Sequence, residues 1–254
     1  MLLAIDAGNT NIVFALFDND KIKASWRRAT NARHTGDEHL SFLAPLFRKE
    51  GIEQSEVKAA IIASVVPEVN FNLLKLCRDH FRCEPMLVDA RLDIGIKILL
   101  DRPEEIGADR IVNAVGGVAA FKPPLLIVDF GTATTFDVVD GDGNYCGGAI
   151  SPGINLSLQA LHMAAAKLPA IDIAPSKNAI GKNTVDAIQS GIYWGYAGLI
   201  EGLIGRIKKE FGKPMTVIAT GGLARLFEGA VKDIQHIDAD ITLRGLYKIY
   251  ERNR

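Results

Sequence analysis

Two short acidic turns, about half a chain apart, constrain this fold more than any other feature of its 254 residues. The first lies in Leu2–Phe17, where L-L-A-I runs into D-A-G-N-T-N and then I-V-F-A-L-F. The second lies in Leu125–Val139, where L-L-I-V runs into D-F-G-T-A-T-T and then F-D-V-V. Apolar, β-branched runs on either side of an Asp/Gly/Asn turn predict a hairpin in each case. Asp6 aligns with Asp129 and Gly8 with Gly131, while Asp18 falls one place from the equivalent of Asp140. One D-x-G-[NT] turn fits many tight bends. Two copies at this spacing predict a duplicated α/β unit, far longer than any solenoid repeat. The expectation is two similar domains, residues 1–113 and 114–254, with a central cleft as the place for a small-molecule site.

The rest of the chain fills in such units. The pattern predicts helices at Asp37–Glu50, from Pro67 through Asp79, and over Glu105–Phe121, with strands at Ala59–Val66 and Pro85–Val88. After the second hairpin it predicts a strand at Gly147–Ile150, a helix at Asn155–Leu161, a loop through Pro175 and a long helix at Thr184–Phe211. A strand at Thr216–Ala219 then runs into Thr220-Gly221-Gly222 and a helix at Leu223–Phe227. Trp26-Arg27-Arg28 reads as an edge strand with solvated charges. The join between the halves is not Gly/Ser-rich, which predicts a helix there.

Turns of this kind suit phosphate chemistry. Backbone N–H groups and hydroxyls aim at an anion while the Asp holds a cation. The first offers Asp6, Gly8, Asn9, Thr10 and Asn11; the second offers Asp129, Gly131, Thr132, Thr134 and Thr135. Ala219-Thr220-Gly221-Gly222-Leu223 adds a Gly-rich surface on which an adenosine can lie, or a plain strand-to-helix turn. Other phosphate signatures fail. Gly181-Lys182-Asn183-Thr184 has Asn after its lysine and no Gly five residues before Gly181, and Gly141-Asp142-Gly143 does not extend to a dinucleotide fingerprint. No G-x-S-x-G occurs, which argues against an acyl hydrolase.

A net charge of -1 argues against a nucleic-acid partner. No apolar run is long enough to span a bilayer and the first residues lack a basic leader, so the cytoplasm is expected, with no membrane partner. Cys77, Cys83 and Cys146 make an odd set without a disulfide spacing, as a reducing compartment favours. Cys77, His80 and Cys83 fall at helical spacing, read as a helix face with a partly buried thiol rather than a metal site.

Duplicated D-x-G-[NT] hairpins followed by T-G-G resemble the actin, hexokinase, sugar-kinase and chaperone ATPase superfamily, whose domains are ribonuclease-H-like. Within it the chain resembles the type III pantothenate kinases. The resemblance rests on D-A-G-N-T-N (Asp6–Asn11), P-E-E-I-G-A-D-R (Pro103–Arg110), D-F-G-T-A-T-T (Asp129–Thr135), G-G-A-I-S-P-G (Gly147–Gly153), K-L-P (Lys167–Pro169), I-G-K-N-T-V (Ile180–Val185) and A-T-G-G-L (Ala219–Leu223), in family order along nearly the whole chain.

The resemblance implies phosphorylation of pantothenate by ATP with Mg2+, a monovalent cation (K+ or NH4+), and a homodimer. By it, Asp6, Ala7, Gly8, Asn9, Thr10, Asn11, Ile12 and Val13 form the first ATP loop, with Asp6 organising the metal-bound triphosphate. Gly107, Ala108, Asp109 and Arg110 bind pantothenate, with Asp109 the general base and Arg110 on the carboxylate. Asp129 holds the monovalent cation, Thr132 contacts ATP and Thr184 contacts the acceptor.

Alternatives stand beside these roles. Asp109-Arg110 also reads as a surface pair opening a helix, and Thr184 as an N-cap. Leu100 departs from the family, where an aromatic often precedes this motif; that change bears on the acceptor pocket. The same fold serves other hydroxylated acceptors, and some relatives carry the name of transcriptional accessory factors.

Overall fold

The computed structural model describes residues 1–89, 91–165 and 168–254. Contacts divide the chain into two units, Met1–Ala120 with Asp240–Arg254, and Phe121–Ala239. This differs from a cut at residue 113 in two ways. The helix that spans 113 stays whole in the first unit, and the chain's last helix returns to that unit. The helix expected to join the halves therefore ends inside unit 1, and Phe121 begins unit 2.

Unit 1 carries a five-stranded sheet in the order β3-β2-β1-β4-β5. Its strands are β1 (Leu2–Ala7), β2 (Asn11–Asp18), β3 (Lys21–Ala29), β4 (Ala59–Ser64) and β5 (Met86–Leu87). β1 to β3 are antiparallel neighbours, whereas β4 lies parallel to β1 and β5 parallel to β4. The two central strands, L-L-A-I-D-A and A-A-I-I-A-S, are apolar on both faces because helices cover both. Leu3, Ile5, Ala60 and Ile62 face a core shared with Leu43, Phe47, Leu73 and Leu76, from α1 (Gly36–Lys49), α2 (Pro67–Lys75) and the π-helical turn that continues α2 to His80. Leu2, Ala4, Ile61 and Ala63 face a second core with α3 (Ala108–Ala120) and α6 (Ile241–Asn253). A capping box fixes the start of α1, with Thr35 accepting from the Glu38 amide and the Glu38 carboxylate accepting from the Thr35 amide.

α3 and α6 meet through glycines. A Cβ on Gly116 would stand 1.9 Å from the Ile241 carbonyl oxygen, and one on Gly245 would stand 1.9 Å from that of Val112. Each glycine thus faces the carbonyl four residues before the other, so the backbones themselves touch. Beyond the crossing, Asn253 and Arg252 bond to Asp93 and secure the end of α6.

Unit 2 repeats the sheet. β6 (Leu125–Phe130), β7 (Ala133–Val139), β8 (Tyr145–Pro152), β9 (Thr216–Thr220) and β10 (His236–Ile237) run in the order β10-β9-β6-β7-β8. Counted within each unit this is the same order, with the same antiparallel and parallel pairs. Its core joins Leu126, Val128, Phe130 and Val217 to Tyr193, Tyr196, Ile200 and Ile204 of α5 (Thr184–Phe211). α4 (Ile154–Ala164) follows β8, and a 3-10 turn (Ala224–Phe227) stands where a helix from Leu223 was expected. No helix among the described residues is long and apolar enough to cross a membrane.

The register explains the one-place offset of the acidic pair. Ala7 pairs with Ile12 in the first hairpin, but Phe130 pairs with Thr134 in the second. The second turn is one residue shorter, which brings Asp140 level with Asp18. As expected, β3 is a sheet edge. Its charges are only half solvated, however. Arg27 is exposed, while Arg28 turns inward over the Phe42 ring and bonds to His34.

Candidate active site

In unit 1 the first turn leaves the carboxyl end of β1, and Gly8 N–H donates to Asn11 O at 3.0 Å. Thr30, just past β3, anchors it from the side. The Thr30 amide donates to Thr10 O at 2.9 Å and its hydroxyl to Gly8 O at 2.6 Å. Asn9 and Thr10 are exposed at the tip, while Asp6 is half-buried. A site outside the carboxyl ends of parallel strands, beside the point where strand order reverses, is the usual ligand position in open α/β sheets.

Asp109 opens α3 in the same unit, and it is not a surface pair with Arg110, since both are half-buried. Its Oδ1 accepts from the Arg110 amide at 2.8 Å. Burial pushes the Asp109 carboxyl above its ordinary range, against the lowering effect of that amide and of the Arg110 charge. Gly107 leaves room for that carboxylate: a Cβ there would lie 2.5 Å from Asp109 Oδ1, and Asp109 would have to turn away from it. Val65 donates its amide to Ala7 O at 3.1 Å. Val65 thus stands between the Ala7 carbonyl that precedes the first turn and the Gly107 backbone that precedes Asp109.

The second turn is braced by two glycines. A Cβ on Gly153 would stand 2.3 Å from Thr132 O, and the Gly153 amide donates to that oxygen at 3.0 Å. Gly221 adopts φ +88°, and a Cβ there would stand 2.4 Å from Asp129 Oδ1. The ends of G-G-A-I-S-P-G and A-T-G-G-L thus close directly on D-F-G-T, a role that motif reading did not assign to either glycine. Thr132 is exposed at the tip and Asp129 is half-buried.

Thr134 and Thr135 do not point outward as the sequence suggested. Thr134 is buried and bonds to Tyr196, and Thr135 donates to Asp137 Oδ2 at 2.9 Å. Alternation along β7 turns Thr134 toward α5.

Thr184 is exposed as the first residue of α5, but Asn183 is the cap, its Oδ1 accepting from the Asp186 amide at 2.9 Å. Gly181 folds back onto this turn, where a Cβ would stand 2.2 Å from the Ala187 amide nitrogen. Thr184, Lys182, Ser157, Leu161 and Ile188 line a cavity of about 870 Å3 in unit 2. Lys167 of the K-L-P stretch lies outside the described residues.

Cys77 is buried in the first core, and Cys83 lies beyond the helix, after Arg82 at φ +53°, so the three residues do not share one helix face. His80 pairs with Asp37 at 2.8 Å. Among the described residues no group of three or more His, Cys, Asp or Glu side chains is placed to hold a metal ion.

Residues 2–206 match the family profile of the type III pantothenate kinases. The chain belongs to the type III pantothenate kinase family. A type III pantothenate kinase of Paramagnetospirillum magneticum is 61% identical over 254 residues, covering 100% of this chain and 98% of that one. Solved structures share the fold at low identity. A Campylobacter jejuni protein assigned to the Baf family of transcriptional activators superposes with a TM-score of 0.63 at 17% identity, covering 98% and 97% of the two chains. A Sinorhizobium meliloti chain described as a 2-dehydro-3-deoxygalactonokinase gives 0.62 at 14%, covering 99% and 96%. The kinase chain is thus an α/β protein of the sugar-kinase and actin-like class.

Proposed function

We propose that this kinase moves the γ-phosphoryl group of ATP to the primary hydroxyl of pantothenate, forming 4'-phosphopantothenate on the way to coenzyme A. The observation that carries this is the Asp109 carboxyl, half-buried at the start of α3 within P-E-E-I-G-A-D-R. Phosphoryl transfer asks a protein for positioning, neutralisation of phosphate charge and a place for the acceptor's proton. Asp109 accepts that proton, and its raised pKa makes it a stronger base than an exposed carboxylate.

The segment Asp6–Val13 takes the ATP phosphates, with donors from the exposed tip, since the Gly8 amide is committed to Asn11. Bound with the nucleotide, a magnesium ion would supply charge neutralisation, and Asp6 would orient it. Gly107, Ala108 and Arg110 hold pantothenate, Arg110 forking onto its carboxylate. Thr132 contacts ATP, Asp129 holds a potassium or ammonium ion, and Thr184 contacts the acceptor.

The working form is a homodimer in the cytoplasm. Ile150, Leu156, Met163, Ile180 and Trp194, on or beside β8, α4 and α5, are large exposed apolar side chains of the kind a partner surface uses. The thiols of Cys77, Cys83 and Cys146 are free, as a reducing compartment keeps them.

A coupled assay with ATP, Mg2+, K+ and pantothenate, run against competing sugars, tests the reading. Turnover with pantothenate and a fall of about 10²–10⁴ in kcat for Asp109→Asn are expected. Preference for a sugar, or an Asp109→Asn variant as active as the unmodified protein, refutes it.

A further inference from the structure

The Tyr196 side chain packs into the core of unit 2, where its hydroxyl meets β7 and β8 and its ring meets the 3-10 turn beyond β9. The hydroxyl donates to Pro152 O at 3.1 Å. A hydroxyl has one proton to give, so the Thr134–Tyr196 bond is donated by Thr134 Oγ1. The Tyr196 side chain is only 5% exposed. Its ring packs on Phe227 with centroids 5.5 Å apart, and Phe227 stacks on Phe130 at 5.3 Å. Phe130 adjoins Gly131 in the turn, and Phe227 closes the 3-10 turn that follows Thr220-Gly221-Gly222.

These contacts have a geometric consequence. Thr134 and Pro152 lie side by side where β7 leaves the second turn, since Thr134 pairs with Ser151 and Ala133 with Pro152. Pro152 is followed by Gly153, whose amide holds Thr132 O and whose missing side chain lets it approach. One buried hydroxyl therefore joins the β7 end of the turn that carries Thr132 to the end of β8 that leads into the bracing Gly153. A phenylalanine at 196 would keep the ring packing, and would leave the Thr134 hydroxyl and the Pro152 carbonyl without that partner.

We infer that Tyr196 is a positioning residue for the nucleotide: its hydroxyl ties Thr134 to Pro152 and so holds Thr132 and the backbone around it in the shape that receives ATP. The inference rests on the assignment of Thr132 to ATP and not on the identity of the acceptor. It differs from a purely structural role in which property moves. Loss of the hydroxyl weakens ATP and leaves the acceptor alone.

The test compares Tyr196→Phe, Thr134→Val and Thr134→Ser by calorimetric ATP binding and by KM for ATP and for pantothenate, with thermal unfolding beside them. The expected result is a threefold to tenfold loss of ATP affinity in Tyr196→Phe, of the size one buried hydrogen bond supports (roughly). Thr134→Val should match it, the double variant should lose little more, and Thr134→Ser should behave as the unmodified protein. The KM for pantothenate should stay within about twofold. Unchanged ATP affinity in Tyr196→Phe overturns the inference, as does an equal rise in both KM values. ATP binding is read without any acceptor, so a protein that binds ATP but ignores pantothenate refutes the proposed substrate while leaving this inference to stand or fall by its own variants.

Discussion

Replacing Gly245 by Ala tests the glycine crossing of α3 and α6. The new methyl would lie 1.9 Å from Val112 O, 2.7 Å from Val112 C and 3.1 Å from the Gly116 amide nitrogen. Carbon and oxygen settle at about 3.3 Å, so the crossing must open by about 1.4 Å. A gap of that size forfeits more than about half of the dispersion attraction between the facing surfaces. Those surfaces include Val112, Val115, Leu246 and Ile249 of the second core. The listener on the far side of the clash is backbone, which no rotamer change can move aside. Overpacking then costs about 3 kcal/mol, the upper end of the usual range. Alanine's better helix propensity returns about 1 kcal/mol, which leaves a net loss near 2 kcal/mol (roughly). Urea unfolding followed by Trp26 fluorescence reads unit 1, where that ring packs on Phe47, provided Trp194 of unit 2 is first changed to Phe. Because both glycines serve one crossing, Gly116→Ala combined with Gly245→Ala should cost less than the sum of the two. A Gly245→Ala protein more stable than its parent by about 1 kcal/mol, as propensity alone dictates, would refute the argument.

Three further outcomes follow from the site and its surroundings. Asp109→Asn should unfold at a higher temperature than its parent at neutral pH, because the folded-state pKa of Asp109 is raised and burying its charge costs stability there. That advantage should shrink as pH falls through the raised pKa, where the parent's carboxyl takes up a proton; scanning calorimetry across pH reads it, and a constant gap would contradict the sign. His39, fully buried, has its pKa lowered to about 4 by burial first and then by Arg28 and His34. The unfolded chain protonates first, so stability should fall by about 3 kcal/mol between about pH 6.5 and 4, and His39→Phe should flatten that part of the urea-midpoint profile. Gly221→Ala forces a left-handed φ on alanine and drives its methyl to 2.4 Å from Asp129 Oδ1, so potassium titrations of activity should shift about tenfold or more to higher concentration.

Much of this arrangement was legible in the chain. The hairpins could be read because β1, β2, β6 and β7 are short apolar runs broken by residues with turn chemistry. The bond that Thr134 makes was not, since its partner Tyr196 lies 62 residues away. Gly153 and Gly221 stood inside recognised motifs, yet only three dimensions show what their missing side chains admit. α6 escaped the reading altogether. Its sequence, I-T-L-R-G-L-Y-K-I-Y-E-R-N, mixes basic residues with a central glycine that counts against a helix by propensity. Tertiary contact reverses that penalty, because the α3 backbone occupies the space. The signal available was the buried series Ile241, Leu246 and Ile249, following the acidic Asp238 and Asp240.

The return of α6 to unit 1 also sets an order of events during synthesis. Every strand of unit 2 has been made by Ala239, when unit 1 still lacks a wall of its second core. Until α6 has been made, the flank of α3 that it covers lacks that partner, an apolar surface open to chaperones. A chain interrupted just before Asp240 would carry the strands of both units but lack the helix that covers α3.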